Sequence, residues 1–516
     1  MTTQEQPLTS SLTGVDAAPM TRNGFAMLGG VAATVGFGLL TTLWMPRGPA
    51  TAAQVWMVLL GGLGIGFFGG VTLRTRWALL FMPLVYIAVV ELSRLGVVGP
   101  TAAWPRLDNP FGILALIVGR GVHGLIAFPP LLLGVGLGLT WLRATEHGIG
   151  VGRAVLHQPL LIVLALIVAG LAVLNLLPAR TPPILDAAGK PIPGSIAELT
   201  TVRLGGKDQA ILVRGRSANL PVLLYLSGGP GQSDLPFTRV LFDDLTQDFI
   251  VVGWDQRGTG KSYAALDPTQ DLTLAQAVAD TIELTTYLRT RFDEEKIYLL
   301  GESWGSTLGV LAVQQRPDLY HAFIGSGQMV SQRETDRRLY YDVLEMAGRT
   351  GDSALRNQML AFGAPPYADI PYPNAIVMGA YPRLETPYTP PAAYIERGMA
   401  ANLGPYGVFG SEYNVIEKFN VLRGLIDMFT VMYPQLQGID FRRDVPRLEV
   451  PVYILDGAAE LAARRDLALE WYAQLDAPIK RLYTFENGGH SVAFEHFAAL
   501  HRILTETVLV ETSGMR

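Results

Sequence analysis

The 516-residue chain contains no cysteine, and only 16% of its residues are charged although 49% are hydrophobic. The absence of cysteine excludes disulfide bonds, thiolate metal sites and a cysteine nucleophile. Soluble domains usually carry about 25% charged residues, so the scarcity of charge argues against an ordinary cytosolic enzyme.

Lysine is absent from residues 1–180, which hold ten arginines and five acidic residues. Residues 181–516 hold the other 30 basic and 40 acidic residues, a net charge of −10. This division predicts an apolar membrane half followed by an acidic, water-soluble half. The negative charge of the second half argues against nucleic acid as a partner, because nucleic-acid binding needs Lys and Arg to neutralise phosphates.

Long uncharged runs in residues 22–180 predict a transmembrane domain of about five helices, since about 20 apolar residues span the hydrocarbon core. The predicted spans are Asn23–Pro46, Gly48–Leu73, Trp77–Val98, Val122–Leu142 and His157–Pro178. The polar tail 1–21 is predicted to be disordered. Phe111–Gly119 is too short to span and is interpreted as interfacial or re-entrant. Arg120, which follows it, is either a snorkelling residue or a functional intramembrane charge.

The loops between these spans differ in their arginine content. The N-terminus and the loops on its side hold five arginines, and the opposite loops hold three, or four with Arg180. Cytoplasmic loops are enriched in positive residues, so this bias favours an N-terminus inside the cell. Five spans then predict a multi-pass integral membrane protein, in contact with the lipid bilayer, whose soluble half lies outside the cytoplasm.

The soluble half begins with a proline-rich linker, residues 181–195, and continues with strand-like and helix-like segments in alternation. Alternation of this kind predicts an α/β fold with a mostly parallel sheet. The predicted sheet core comprises residues 196–328 and 449–516, and the helical stretch 329–448 between them is predicted to be a cap or lid. The predicted strands are Ala197–Leu204, Gln209–Arg214, Pro221–Leu226, Phe249–Trp254, Ile297–Leu300, His321–Ile324, Val452–Leu455 and Arg481–Phe485.

The strongest catalytic motif is Gly301-Glu302-Ser303-Trp304-Gly305, a G-x-S-x-G sequence between a predicted strand and a predicted helix. In this context the serine lies in a strained turn that lifts its hydroxyl above the sheet. Ser303 is therefore the candidate nucleophile. The backbone N–H of Trp304, next to it, is a candidate oxyanion donor.

A serine nucleophile needs a base and a carboxylate that orients the base. His490 lies in a loop after the last predicted strand, where catalytic groups of open α/β sheets are found. The loop after the strand Val452–Leu455 offers two carboxylates. Glu460 is favoured as the acid, and Asp456 remains the alternative.

A glycine-rich segment, Ser227-Gly228-Gly229-Pro230-Gly231, follows another predicted strand and allows a backbone N–H to approach the substrate closely. Together with Val251–Ser262 and Gly301–Ser306, it resembles the prolyl iminopeptidase group of the α/β-hydrolase superfamily. The resemblance implies an α/β-hydrolase fold. It implies Ser303 as nucleophile, His490 as base, and Gly229 and Trp304 as oxyanion donors. It also implies that Asp255 and Arg257 brace the loops near the site.

Two motifs depart from the family pattern. Ser227 replaces the histidine of the family's His-Gly-Gly-Pro-Gly, and Glu460 replaces the aspartate of Gly-x-x-Asp. Members of the family also place cap carboxylates on the substrate's free amine. The cap here offers Glu334, Glu396, Glu412 and Glu417. Gly228 and Glu334 are the candidate substrate-binding residues.

The sequence thus predicts a membrane-anchored serine hydrolase, an aminopeptidase that removes N-terminal residues from short peptides. The alternative substrate class is an ester or amide, including lipid-derived acyl groups, and a third hypothesis is a non-catalytic membrane sensor. No metal-ligand spacing is present, and Gly258–Ser262 fails the phosphate-loop pattern because Asp255 stands where a glycine is required. No cofactor or metal is expected.

Overall fold

The computed structural model describes residues 22–367 and 369–513. The tail 1–21, predicted to be disordered, lies outside the described residues. The chain forms two compact units. The first comprises the chain up to Leu40, Leu60–Val90 and Phe128–Val168. The second comprises Thr41–Leu59, Glu91–Ala127 and the chain from Ala169 onward.

Apolar helices precede the sheet, as the uncharged runs predict. In the described part of the chain, four stretches are long and apolar enough to cross a membrane, and Ala78–Ser93 is a shorter apolar helix. The four are Ala26–Trp44, Ala52–Leu73, Pro110–Glu146 and Pro159–Leu176. The helices are α1 (Arg22–Trp44), α2 (Ala52–Leu73), α3 (Ala78–Ser93), α4 (Pro110–Leu116), α5 (Val122–Glu146), α6 (Val151–Leu156) and α7 (Pro159–Leu176).

Phe111–Gly119 is not the separate short segment that the sequence suggests. Helix α4 continues through a π-helical turn, Ile117–Gly121, directly into α5. The Arg120 guanidinium pairs with Glu91 at 2.7 Å and also donates to the carbonyl oxygen of Ala102 at 2.9 Å. The charge of Arg120 is thus neutralised inside the protein.

The second unit contains an eight-stranded sheet with the order β1-β2-β4-β3-β5-β6-β7-β8. Strand β2 pairs antiparallel with β1 and β4, and the other neighbours pair parallel. All eight predicted strands are present. Their bounds are β1 (Ile196–Leu204), β2 (Lys207–Gly215), β3 (Val222–Leu226), β4 (Ile250–Trp254), β5 (Ile297–Glu302), β6 (Tyr320–Ser326), β7 (Val452–Gly457) and β8 (Lys480–Phe485).

The central strands are buried on both faces, which is why they read as continuous apolar runs. In β3, Leu224 belongs to one hydrophobic core and Tyr225, its neighbour, to the other. The helices between the first strands are α8 (Leu235–Leu241), α9 (Leu274–Phe292) and α10 (Trp304–Gln315). Because the parallel strands all end at one edge, the loops that follow β3, β5, β7 and β8 are brought together.

Between β6 and β7 the chain is helical, in the stretch predicted to be a cap. Its helices are α11 (Gln332–Arg349), α12 (Ser353–Phe362), α13 (Pro371–Leu384), α14 (Ala392–Ala400), α15 (Val415–Met432) and α16 (Phe441–Asp444). Helix α15 starts with a capping box between Asn414 and Glu417. The chain ends with α17 (Ala462–Gln474), α18 (Val492–Glu495), α19 (Phe497–Arg502), a π-helical turn (Ile503–Val508) and α20 (Leu509–Ser513).

Candidate active site

Ser303 lies in a sharp turn between β5 and α10, with φ 53° and ψ −119°. Only a residue held by its surroundings keeps such a backbone conformation. The flanking glycines are required sterically: a Cβ on Gly301 would lie 2.4 Å from the Gly305 oxygen, and one on Gly305 would lie 2.0 Å from the Leu226 oxygen. The serine therefore stands at the N-terminus of α10, where the helix dipole favours developing negative charge.

His490 follows β8, and its Nδ1 forms a short hydrogen bond with Oε2 of Glu460, which follows β7. The other oxygen of Glu460 accepts from the Leu461 N–H at 2.8 Å and pairs with Arg464 at 3.3 Å. Burial alone would raise the pKa of Glu460, but His490 and Arg464 outweigh it and hold the pKa at about 2. Glu460 is therefore ionised next to the imidazole ring.

Asp456, the alternative acid, has other partners. Arg465 donates to both of its carboxylate oxygens, at 3.1 and 2.9 Å, and Thr484 Oγ1 donates at 3.1 Å. The carboxylate is only 7% exposed. The structure thus brings Glu460, and not Asp456, to His490.

The turn after β6 contacts both Ser303 and His490. The Ser303 N–H donates to the Ser326 carbonyl oxygen at 2.9 Å. At the next residue, Gly327 (φ +53°), a Cβ would lie 3.0 Å from Nδ1 of His490. A side chain at position 327 would therefore displace the imidazole ring.

The glycine-rich segment after β3, residues 227–231, lies beside the nucleophile and is called the oxyanion loop below. A Cβ on Gly228 would lie 3.4 Å from Cβ of Ser303. Gly229 has φ +115°, and a Cβ there would lie 2.4 Å from the Gly231 nitrogen. Gly229 therefore excludes a larger residue, and the contact at Gly228 shows that the backbone comes close to Ser303, as the motif predicts.

Gln256 joins the oxyanion loop to the nucleophile turn, a role that the sequence does not reveal. Its amide nitrogen donates to the Ser227 carbonyl oxygen at 3.2 Å, and its amide oxygen accepts from the Trp304 indole at 2.8 Å. The flanking residues Asp255 and Arg257 have other contacts. Asp255 accepts from the Lys261 N–H and the Tyr413 hydroxyl, and Arg257 pairs with Asp280.

We call three buried carboxylates, Asp234, Glu302 and Glu495, the acid cluster, because Glu302 interacts electrostatically with the other two. Burial and the charge of Asp234 raise the pKa of Glu302 well above its ordinary range. Burial also raises the pKa of Asp234 to about 6, although Gln232 and Tyr225 donate to it. The Ser491 hydroxyl donates to Oε1 of Glu302 at 2.9 Å, and Oε2 has no hydrogen-bond partner among the described residues.

Glu495 receives the Gly489 N–H at 2.7 Å and the Tyr388 hydroxyl at 2.8 Å, which links the acid cluster to the segment between α13 and α14. Glu385 starts that segment. Its half-buried carboxylate has electrostatic contact with Glu460, Arg464, His490 and Glu495, but no hydrogen bond or ion pair with a described residue. Burial and Glu460 raise its pKa. Glu385 was not among the cap carboxylates that the sequence suggested.

Those cap carboxylates are mostly engaged elsewhere. Glu334 pairs with Arg337 at 2.7 Å and Arg338 at 3.1 Å, which lowers its pKa to about 2. Glu412 pairs with Arg239, Glu417 pairs with Lys261, and Glu396 is exposed. None of the four contacts His490 or Glu460 in the described residues.

Residues 22–367 and 369–513 contain no group of three His, Asp or Glu side chains that could hold a metal ion. His496 packs against Phe485, His501 pairs with Asp248 at 2.7 Å, and His321 stacks on Tyr298. The other histidines of the soluble half therefore have packing or surface contacts.

Comparison with known proteins gives a consistent match. The model of the alpha/beta hydrolase fold family matches residues 221–497. The chain is 31% identical over 302 residues to Probable aminopeptidase YbaC of Bacillus subtilis, which covers 58% of this chain and 93% of that protein. It is 34% identical over 125 residues to a proline iminopeptidase of Lactiplantibacillus plantarum, 24% of this chain and 41% of that protein. A proline iminopeptidase structure from Mycobacterium smegmatis covers 62% of this chain and 100% of its own, with 16% identity and a TM-score of 0.43.

Proposed function

This chain belongs to the α/β-hydrolase family and is proline iminopeptidase-like, and from that premise we propose that it is a membrane-anchored serine aminopeptidase. Its substrate class is short peptides with a free N-terminus. The observation that carries the proposal is the contact between His490 and the ionised Glu460, beside the strained turn of Ser303.

In the proposed mechanism, His490 takes the hydroxyl proton of Ser303 as Oγ attacks the carbonyl carbon of the scissile bond. The backbone N–H groups of Gly229 and Trp304 donate to the oxyanion that forms. His490 then gives its proton to the leaving amine as the C–N bond breaks, which leaves an acyl-enzyme. Water, deprotonated by His490, releases the N-terminal residue as a free acid and regenerates Ser303. Glu460 keeps the imidazole oriented and stabilises its protonated form.

The free amine of the substrate needs a carboxylate near the acyl group. Glu385 fits this requirement better than Glu334, because Glu334 is already paired with two arginines while Glu385 has no ion-pair partner among the described residues. An ammonium group at Glu385 would pair with a half-buried carboxylate, and hydrogen bonds to charged groups are worth about 1.5–3 kcal/mol.

An activity panel tests the proposal. It compares prolyl and alanyl aminoacyl amides, the same amides with an acetylated amine, and short and long acyl esters. We expect hydrolysis of the free-amine amides and a large loss on acetylation. Faster turnover of the esters, with no dependence on a free amine, would favour the esterase hypothesis. No turnover of any substrate would favour the sensor.

Substitution of Glu385 tests the amine site within the same panel. We expect Glu385→Gln to raise KM for the free-amine amides about tenfold or more, with little change for esters. The matched control is Glu396→Gln, an exposed glutamate of α14. Equal KM values for the two variants would contradict the assignment of Glu385.

We also propose that the apolar helices make this a multi-pass membrane protein with the hydrolase part outside the cytoplasm. Four helices are long and apolar enough to cross a membrane, with Pro110–Glu146 counted once. Counting the shorter apolar helix Ala78–Ser93 as a fifth crossing gives the odd number that this orientation requires. Fusion of alkaline phosphatase after Pro193 tests the orientation, because this reporter is active only outside the cytoplasm. An inactive phosphatase, with an active cytoplasmic reporter at the same junction, would overturn it.

A further inference from the structure

Helix α15 carries a buried polar stripe. Asn420, Arg423 and Asp427 follow one another at spacings of three and four residues, so they lie on one face of the helix. All three have a relative exposure of 0%. Such groups need partners, because a buried charge without one is strongly unfavourable.

Some of those partners are backbone carbonyls from the N-terminal third of the chain. Asn420 Nδ2 donates to the Ala50 oxygen at 2.7 Å. Arg423 donates from Nη1 to the Pro49 oxygen and from Nε to the Val118 oxygen, both at 2.7 Å. Pro49 and Ala50 lie between α1 and α2, and Val118 lies in the π-helical turn before α5. All belong to the same compact unit as the sheet.

The carboxylate of Asp427 also has partners from the N-terminal third of the chain, here hydrogen-bond donors and an arginine. The carboxylate accepts from the Thr101 N–H at 3.1 Å and from the Thr101 hydroxyl. It also pairs with Arg47 Nη1 at 3.0 Å and accepts from the Tyr263 hydroxyl at 2.7 Å. Arg47 in turn pairs with Asp267 at 3.1 Å. Arg47 thus neutralises the buried charge of Asp427, and Thr101, from a second segment of the apolar N-terminal region, donates hydrogen bonds to it.

The backbone of α15 also touches the oxyanion loop. A Cβ on Gly231 would lie 2.5 Å from the Gly424 oxygen and 3.0 Å from Cα of Leu425. A Cβ on Gly424 would lie 2.9 Å from the Gly258 oxygen. No side chain separates the helix from the loop at this point. A shift of α15 along this contact therefore moves Gly231, two residues from the oxyanion donor proposed at Gly229.

We propose that Arg47 and Thr101 are positioning residues for catalysis: the apolar N-terminal region holds α15, and α15 holds the oxyanion loop against Ser303. The hydrolase part is then not an autonomous enzyme. The proposal rests on the proposed function only in using Gly229 as an oxyanion donor. It assigns to the N-terminal region a role in turnover beyond membrane attachment.

The test is made on the full chain, in detergent or in vesicles. We expect Arg47→Met to lower kcat about tenfold or more for the best substrate of the panel, while KM stays within about threefold. Arg47→Lys, which keeps the charge, should restore most of kcat. The matched control is Arg106→Met, because Arg106 also pairs with an aspartate, Asp369 at 2.5 Å, but is 39% exposed. A kcat for Arg47→Met as high as that of the Arg106→Met control would overturn the proposal.

Thr101→Val is the milder variant if Arg47→Met does not fold, because it removes only the hydroxyl that donates to Asp427. We expect a smaller loss of kcat, about threefold or more, at unchanged KM; a wild-type kcat would overturn the proposal. The rate of Ser303 labelling by a fluorophosphonate is measured in parallel. If the wild-type protein hydrolyses nothing in the panel, the proposed function fails, and slower labelling of the variants still supports the positioning role, whereas unchanged labelling overturns it.

Discussion

Two groups of buried carboxylates lie in and around the candidate active site, and they differ in their charged partners. At the end of β7 and in the loop after it, Asp456 and Glu460 are each paired with an arginine, Arg465 and Arg464. In the acid cluster no Lys or Arg pairs with Asp234, Glu302 or Glu495 among the described residues. Burial raises the pKa of Glu302, whereas at Glu460 the neighbouring His490 and Arg464 outweigh burial and hold the pKa at about 2.

The difference shows that burial alone does not set the charge of a carboxylate near an active site. An adjacent cation favours the ionised form, and an adjacent acid favours the neutral one. The ionised Glu460 can stabilise a protonated His490 during turnover. In the acid cluster no cation from the described residues offsets burial, so the protonated form of Glu302 is favoured. The predictions that follow begin with the nucleophile and then test this contrast.

The largest effect is expected at the nucleophile. Ser303→Ala should abolish hydrolysis and labelling by a fluorophosphonate, because both reactions need the serine oxygen. Thermal unfolding should stay close to that of the wild-type protein, since the change removes one hydroxyl from a turn fixed by its flanking glycines. Labelling that survives the substitution would place the nucleophile elsewhere.

At the ionised Glu460, the substitution Glu460→Gln should lower kcat by about 10²- to 10⁴-fold, since loss of an orienting carboxylate lowers kcat by up to that much. The amide keeps the shape of the side chain but cannot balance the charge of a protonated His490. Asp456→Asn, at the end of β7, is the matched control and should change kcat only a few-fold, because Asp456 is bonded to Arg465 and Thr484. A larger loss for Asp456→Asn would reverse the assignment of the acid.

The sequence predicts the elements of the sheet and the motifs at the ends of its strands. Each of the eight strands is present, the α/β-hydrolase fold is confirmed by the family match, and the resemblance to prolyl iminopeptidases is confirmed by the similar proteins. Both follow from local patterns, namely apolar runs bounded by turns and glycines next to a serine. The preference for Glu460 over Asp456 stays a prediction about catalysis, although the structure brings only Glu460 to His490.

What the sequence does not reveal depends on contacts between distant segments. Glu302 occupies the first variable position of G-x-S-x-G. No local sequence pattern indicates that Asp234 and Glu495 lie near it. Glu385 lies in a proline-rich segment with no motif. The polar stripe of α15 does leave a signal, because Asn420, Arg423 and Asp427 recur at helical spacing among mostly apolar neighbours. Their partners, more than 300 residues earlier in the chain, leave none.

In the acid cluster, the raised pKa of Asp234 should make the stability of the protein depend on pH. In the folded protein the group keeps its proton to about pH 6, whereas the unfolded chain releases it near the ordinary value of 3.8. The folded state thus binds more protons between these values, so the free energy of unfolding falls as the pH rises through that window. The fall is on the order of 2–3 kcal/mol, since one pKa unit corresponds to about 1.4 kcal/mol.

Asp234→Asn should remove this dependence, because the amide does not titrate. The measurement is thermal unfolding of both proteins at several pH values between about 4 and about 7, and the difference between them isolates Asp234 from the other acids. Two curves with the same slope would mean that Asp234 is ionised in the folded protein at low pH.

The smallest effect on kcat is expected for Glu302→Gln. The same change of glutamate to glutamine is expected to lower kcat strongly at Glu460. Because burial and Asp234 raise the pKa of Glu302 well above its ordinary range, its protonated form is favoured, and the amide matches that form in shape and charge. The amide oxygen can still accept from the Ser491 hydroxyl that now bonds Oε1. We therefore expect kcat and KM within about threefold of the wild type, since no charge and no hydrogen bond is lost. The assay uses the free-amine amides of the panel, with Glu460→Gln measured beside it. If Glu302→Gln raised KM for those amides strongly, Glu302 would be ionised when substrate is bound, and the acid cluster would be part of the amine site.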